Sequence, residues 1–318
     1  MLSFLPAPLL GCLTASLIIL NTIFWFSTFL PFILLKFMPV PALQHFSTLA
    51  LIQMAQNWVK GNSRIMHSTQ ATRWDIQGLE NLDMNHSYLV ISNHRSWTDI
   101  FVLQHVFQGQ IPFLKFFLKQ ELIWVPLLGI AWWALDFPFM KRYSREFLAK
   151  HPELRGKDMQ TTRHHCEKFK KYPVSVINFL EGTRFKPEKL LKQQSPYKHL
   201  LRPKAGGVAL VLAAMGETLH QVVDVTVLYP HNSHKKLFWA LLSGQLPEIV
   251  VRVQTLPIPE NVVGRDYLSD SAYQEQIQTW VNTLWQDKDA VIAKILSEQG
   301  IAKTEALQAE AAQPGVSP

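Results

Sequence analysis

The chain has 318 residues, of which 48% are apolar and only 17% charged, with a net charge of +7. That length accommodates one large or two modest domains, and the composition tilts toward a membrane-associated protein rather than a freely soluble one. No Lys/Arg-rich arm, zinc-finger spacing or ribonucleoprotein-type aromatic motif occurs, so nucleic acid ranks well behind anionic lipid as the partner of a basic surface.

From Leu2 to Leu35 there is no charged side chain, and Leu9 to Leu30 alone is long enough to span a bilayer of about 30 Å hydrocarbon thickness. A signal peptide would carry a basic leading region and a shorter apolar core, so residues 1–40 read as a retained anchor. Pro31 and Pro39 leave open a single crossing or a shallow helical hairpin. Lys36, Lys60, Arg64 and Arg73 all follow the anchor, which by the positive-inside rule puts the remainder in the cytoplasm. Cys12 falls inside the anchor and Cys166 is the only other cysteine, so a disulfide is not expected and a reducing compartment fits.

Leu43, Phe46, Leu49, Leu51 and Met54 give residues 41–70 an amphipathic helical pattern. Arg73 to Leu79 alternates in part like a strand, Asn81 to His86 is turn-rich, and Ser87 to Ser92 is a buried strand. Leu122 to Phe139 is apolar but broken by Pro126, Gly129, Asp136 and Pro138, which favours a buried or interfacial segment over a second crossing. Residues 146–172 read as a polar helix. Its adjacent His164 and His165 point to different faces, and His231-x-x-His234 lacks a third ligand, so no metal is expected. Pro173 to Leu180 is a second buried strand, 185–203 a polar mobile loop and 204–213 a small-residue helix. Val222 to Tyr229 and Ile249 to Gln254 are further strands. A helix from about Ala272 to Leu296, with Ile277, Trp280, Leu284, Val291 and Leu296 near one face, closes a domain of residues 41–300. The tail 301–318 reads as disordered.

Two of these strands end in turns with chemistry. After Ser92 comes Asn93-His94-Arg95-Ser96-Trp97-Thr98-Asp99, where a strand hands over to a helix. Ser96 fits an N-cap with Asp99 three residues on. While the chain is still turning, the His94 ring can fold back on the Asp99 carboxylate, which would fix its tautomer and raise the basicity of its other nitrogen. Taken alone the spacing is weak, because it arises by chance and because Asp99 reads equally well as a capping-box acid. After Leu180 comes Glu181-Gly182-Thr183-Arg184. Glycine there permits close backbone approach, and exposed N–H groups beside an arginine fork suit a phosphate. An ordinary strand-ending turn is the competing reading. In an open α/β sheet, such turns gather at the carboxyl edge where ligands bind.

In their order, these pieces resemble the 1-acylglycerol-3-phosphate acyltransferase family, in its bacterial, lysocardiolipin-acyltransferase-like branch. Asn93-His94 to Asp99 is similar to the family's first block and Lys119-x-x-Leu122-x-x-x-Pro126-x-x-Gly129 to its second, which Phe139-Met-Lys-Arg142 would end. Glu181 to Arg184 is similar to the third block. In the fourth, where the family usually carries a proline within a V-P-V-like strand, this chain has Val223-Asp224-Val225. The resemblance implies an α/β fold, a glycerolipid-acyltransferase-like mixed sheet flanked by helices.

It also implies acyl transfer from acyl-CoA or acyl-ACP (acyl carrier protein) to the sn-2 hydroxyl of a lysophospholipid in the inner membrane. His94 and Asp99 are then the catalytic pair, and Lys119, Arg142, Glu181, Gly182, Thr183 and Arg184 bind substrate, Glu181 at the glycerol. A thioester and a hydroxyl need a general base but no protein nucleophile, and there is no G-x-S-x-G elbow, so no covalent acyl-enzyme and no cofactor are expected. The rivals are a lipid hydrolase or transacylase, and a membrane-anchored lipid-binding protein without activity.

Overall fold

The structure is a computed structural model that describes residues 2, 4–140, 169, 172–231, 236–263, 265, 267 and 269–301. Arg142, the cluster around Lys141, the expected polar helix with His164, His165 and Cys166, and His234 lie outside these residues, as does the tail from 302.

Residues Ala7–Phe37 form α1 and Pro41–Thr69 form α2, each opened by a proline in its first turn, where the missing N–H would be unsatisfied anyway. The two pack against each other as a helical hairpin. Midway along, Asn21 Nδ2 donates to Trp58 O at 3.0 Å and to Asn62 Oδ1 at 2.8 Å, and Trp58 Nε1 donates to Thr22 Oγ1 at 3.0 Å. A Cβ at Gly61 would lie 2.5 Å from Asn21 Oδ1, so glycine is what admits this contact. Among the described residues, α1 is the one helix long and apolar enough to cross a membrane. The apolar stretch 122–139 is no long helix. It folds as a 3₁₀ turn over Gln120–Trp124, a short α4 over Leu128–Ala134, and a strand β5 over Phe139–Met140.

The remaining strands are β1 (Arg73–Gln77), β2 (Ser87–Ser92), β3 (Leu114–Phe116), β4 (Leu118–Lys119), β6 (Ser175–Phe179), β7 (Leu219–Leu228) and β8 (Glu248–Leu256). Six of them make a mixed sheet in the order β1-β8-β7-β2-β6-β3, while β4 and β5 form a separate parallel pair. β7, β2, β6 and β3 run parallel; β8 is antiparallel to β7, and β1 follows β8. β2 is central and every residue of it is buried, which is why its sequence is a continuous apolar run rather than an alternation.

The sheet is covered on both faces. Val90, Ile177, Val223 and Val251 pack with α1, α2, α4, α3 (Thr98–Phe107) and α7 (Leu237–Leu242). Leu89, Ile91, Val176 and Val222 pack with α6 (Gly206–Met215) and α8 (Ser271–Glu298). The mixed α/β sheet flanked by helices is thus as expected.

Two expectations need correction. The buried stripe of α8 is Tyr273, Ile277, Val281, Trp285, Lys288, Ile292, Ile295 and Leu296, which keeps the expected Ile277 and Leu296, whereas Val291 is exposed and Trp280 and Leu284 are only partly covered. The stretch 185–203 is no loose loop. It carries α5 (Pro187–Lys192), buries Leu200 and Leu201, and is pinned by Asp289 of α8, whose carboxylate accepts from Lys198 N at 3.0 Å and His199 N at 2.8 Å.

Candidate active site

The carboxyl ends of the parallel strands β7, β2 and β6 bring the site together. Ser92 at the end of β2 lies opposite Phe179 of β6 and Val225 of β7, so the residues just beyond each strand converge. Asn93 fixes this convergence. Its fully buried side chain donates from Nδ2 to Val227 O and accepts from Val227 N, both at 2.9 Å, extending the sheet pairing by one step past the strand.

His94 therefore leaves the sheet at a fixed angle. Its backbone N–H donates to Glu181 Oε1 at 2.9 Å and its carbonyl accepts from Phe185 N at 2.7 Å. The ring stacks on Phe179 with centroids 4.0 Å apart and planes 19° apart. Nδ1 lies 2.8 Å from Asp99 Oδ2. An ionised carboxylate only accepts, so Nδ1 carries the proton and Nε2 holds the basic lone pair. Among the described residues Nε2 has no protein partner, and the side chain keeps 16% of its surface exposed.

Asp99 is completely buried. Its Oδ2 also accepts from Arg95 N at 2.6 Å and Ser96 N at 2.9 Å, and its Oδ1 accepts from the Tyr229 hydroxyl at 2.6 Å. The helix begins at Thr98, with Trp97 as N-cap and no side-chain cap bond, so Ser96 does not cap in the expected way. Its hydroxyl turns instead to Thr98. Asp99 reaches back to the Ser96 N–H as a capping-box acid does, and holds His94 with the same oxygen; the two readings of this residue coexist.

In the second turn, Gly182 has φ +63°, a conformation open to glycine at no steric cost. Its N–H donates to Phe179 O at 2.9 Å and closes the turn, so this is not the free donor expected for a phosphate. Thr183 Oγ1 accepts from Lys189 Nζ, and Lys189 Nζ also donates to Arg184 O at 3.1 Å. The Arg184 guanidinium is exposed, sits 5.6 Å above the Trp97 ring and pairs with no carboxylate among the described residues. Lys119 is exposed at the end of β4, beyond the carboxyl end of β3.

Glu181 differs from expectation. It is fully buried, and its second oxygen accepts from Leu201 N at 3.2 Å, so it organises the turn from within instead of presenting itself to a ligand. Burial pushes its carboxyl up to about 7, against the lowering effect of the His94 and Leu201 N–H groups.

Residues 73–230, which contain all of this geometry, match the family described as Acyltransferase. The chain carries an acyltransferase domain. Human 1-acyl-sn-glycerol-3-phosphate acyltransferase gamma is 25% identical over 203 residues, 61% of this chain and 48% of that protein. 1-Acyl-sn-glycerol-3-phosphate acyltransferase 3 of Arabidopsis thaliana is 24% identical over 247 residues, 74% of this chain and 60% of that protein. The chain thus spans about half the length of the first of these relatives. The crystal structure of the 1-acyl-sn-glycerophosphate (LPA) acyltransferase PlsC from Thermotoga maritima superposes with a TM-score of 0.50 at 16% identity, covering 87% of this chain and 95% of that one, a likeness of fold.

Within the acyltransferase domain, the acid in place of the usual proline of the fourth block points away from the dyad. Asp224 Oδ1 lies 2.7 Å from Lys288 Nζ, a buried pair that ties β7 to α8. Burial raises the Asp224 carboxyl and lowers the Lys288 ammonium, while their contact holds the charges. Sequence reasoning also missed Tyr229. It is a lone aromatic residue after an apolar strand, and only the β7–β2 pairing brings it to Asp99.

Proposed function

We propose that this protein is a membrane-bound acyltransferase that moves a fatty acyl group from acyl-CoA or acyl-ACP to the sn-2 hydroxyl of 1-acylglycerol-3-phosphate or a related lysophospholipid. The reading rests on the His94–Asp99 contact at 2.8 Å, with Nε2 of the same ring left without a partner among the described residues at the carboxyl edge of the sheet.

His94 Nε2 takes the proton of the acceptor hydroxyl as its oxygen attacks the thioester carbon. The tetrahedral adduct collapses, the C–S bond breaks, and the imidazolium returns the proton to the departing thiolate. Asp99 keeps the tautomer and stabilises the imidazolium. No residue of the chain is acylated. Arg184 and Lys119, both exposed and beyond the carboxyl ends of parallel strands, hold the acceptor phosphate, so that binding at the charged end positions the reacting end.

The helix α1 anchors the domain to the inner membrane, with the site facing the cytoplasm. Acceptor and product are both lipids, and a site held at the interface spares the acyl chain an exposure that costs about 0.8 kcal/mol per CH₂.

Thiol release by detergent-solubilised protein tests this. Release should require both an acyl thioester and added lysophospholipid, and His94→Ala should lower it by roughly 10² to 10⁴ with folding and lysolipid binding unchanged. In the same assay Arg184→Ala should raise the KM of the phosphorylated acceptor. Full turnover in His94→Ala, or thiol release without acceptor, would refute the proposal.

A further inference from the structure

Asp99 has one oxygen that the local motif explains and one that it does not. Oδ2 gathers His94, Arg95 N and Ser96 N, all from its own turn. Oδ1 faces the other way and, among the described residues, takes its hydrogen bond from the hydroxyl of Tyr229, at 2.6 Å and from a residue 130 positions along the chain. The arrangement is not incidental to the fold. Tyr229 is the first residue after β7, β7 pairs in parallel with β2, and the pair of hydrogen bonds between Asn93 and Val227 fixes the register two residues before the tyrosine. Burial, then the Asp99 charge, holds the Tyr229 hydroxyl well above the usual phenol range, so it remains a proton donor.

We propose that Tyr229 is a positioning residue that sets the basicity of His94 through Asp99. This rests on the reading of His94 and Asp99 as the reacting dyad. A carboxylate shares one negative charge over two oxygens, and every donor that binds it draws on that charge. The hydroxyl at Oδ1 competes with the imidazole at Oδ2, so a weaker donor at 229 leaves more charge for the imidazolium and a stronger donor leaves less. It also fixes the plane of the carboxylate, so that Oδ2 stays in line with Nδ1. Among the described residues, the other charged groups facing the dyad are Arg95, on the same turn, and Glu181, which binds the His94 N–H from the turn after β6.

The sign of the effect gives the test. In Tyr229→Phe the acidic limb of the kcat/KM profile should move up by about half a pH unit, and kcat should fall about tenfold with the acceptor KM unchanged, the scale of one hydrogen bond to a charged group. Site-specific 3-fluorotyrosine at 229, a stronger donor of nearly the same shape, should move the limb down. It keeps the test open if the phenylalanine variant fails to fold.

Since burial holds the Glu181 carboxyl at about 7, both profiles are repeated in Glu181→Gln, where the opposite shifts should persist. Limbs that stay in place in folded variants, shifts that vanish in the Glu181→Gln background, or an effect confined to the acceptor KM would overturn the inference. His94→Ala separates the two levels: if it is inactive while the limbs stay put, the dyad stands and only the role of Tyr229 falls.

Discussion

A carboxyl group as enclosed as that of Glu181 is held near neutrality by its surroundings, and this couples the site to pH. Its value rises from an ordinary 4.5 to about 7, chiefly through burial. Below 4.5 the group is neutral in both the folded and unfolded chain. Between 4.5 and 7 the unfolded chain releases the proton first, so the folded state loses relative stability as pH rises, by at most about 3 kcal/mol. Urea unfolding from pH 4.5 to 8 should show this decline in the wild type and not in Glu181→Gln; parallel slopes in the two proteins would refute it. At this scale the sequence was only half readable. His94 and Asp99 could be named because the motif is local, five residues within one turn. The inward orientation of Glu181 and the approach of Tyr229 depend on neighbouring strands, and no spacing along the chain encodes them.

Among the elements, α8 shows why periodicity succeeds and where it misleads. Apolar spacing located the helix, yet the buried stripe includes Lys288, which a hydrophobic pattern skips. Its Nζ reaches Asp224 at 2.7 Å, Val225 O at 2.7 Å and Thr226 Oγ1 at 3.1 Å, so the ammonium is satisfied entirely by β7. Removing one member of such a pair strands the other, whereas replacing both with apolar groups need not destabilise. Lys288→Met should therefore lower the unfolding free energy by about 3 to 5 kcal/mol, and the double variant Lys288→Met/Asp224→Val should recover most of that loss. A chemical-unfolding double-mutant cycle checks it, and additive losses would rule the pairing out as the cause. The short strands β3, β4 and β5 and the segment around α5 escaped sequence reading for the opposite reason. They are two to six residues long and are held by partners distant in sequence, Asp289 and Glu181 among them, rather than by a repeat of their own.

Over the whole molecule, α1 is bound to the domain at both ends. Near its start, a Cβ at Gly11 would lie 2.8 Å from the Trp239 ring, and Leu10 reaches Gly244. At its close, Lys36 Nζ pairs with Asp136 Oδ2 and bonds Ala134 O, both at 2.6 Å, beside a Phe37–Trp133 stack. The helix between these ties is longer than the roughly 30 Å of a hydrocarbon core. A helix that crossed the bilayer would carry one end to the far side and break one set of contacts. The apolar surface left open, with Leu34 69% and Phe37 64% exposed, suits a helix lying in the near leaflet beside the domain. Hydropathy alone could not make this distinction, because a span and a hairpin read alike until the helix ends have partners. Single cysteines at Phe4 and Met38, with Cys12 and Cys166 changed to serine, should both react with a membrane-impermeant maleimide added on the domain side of reconstituted vesicles, and neither with one added on the opposite side. Labelling of the two positions from opposite sides would show a crossing and would require the contacts of Gly11 or Lys36 to open in the membrane.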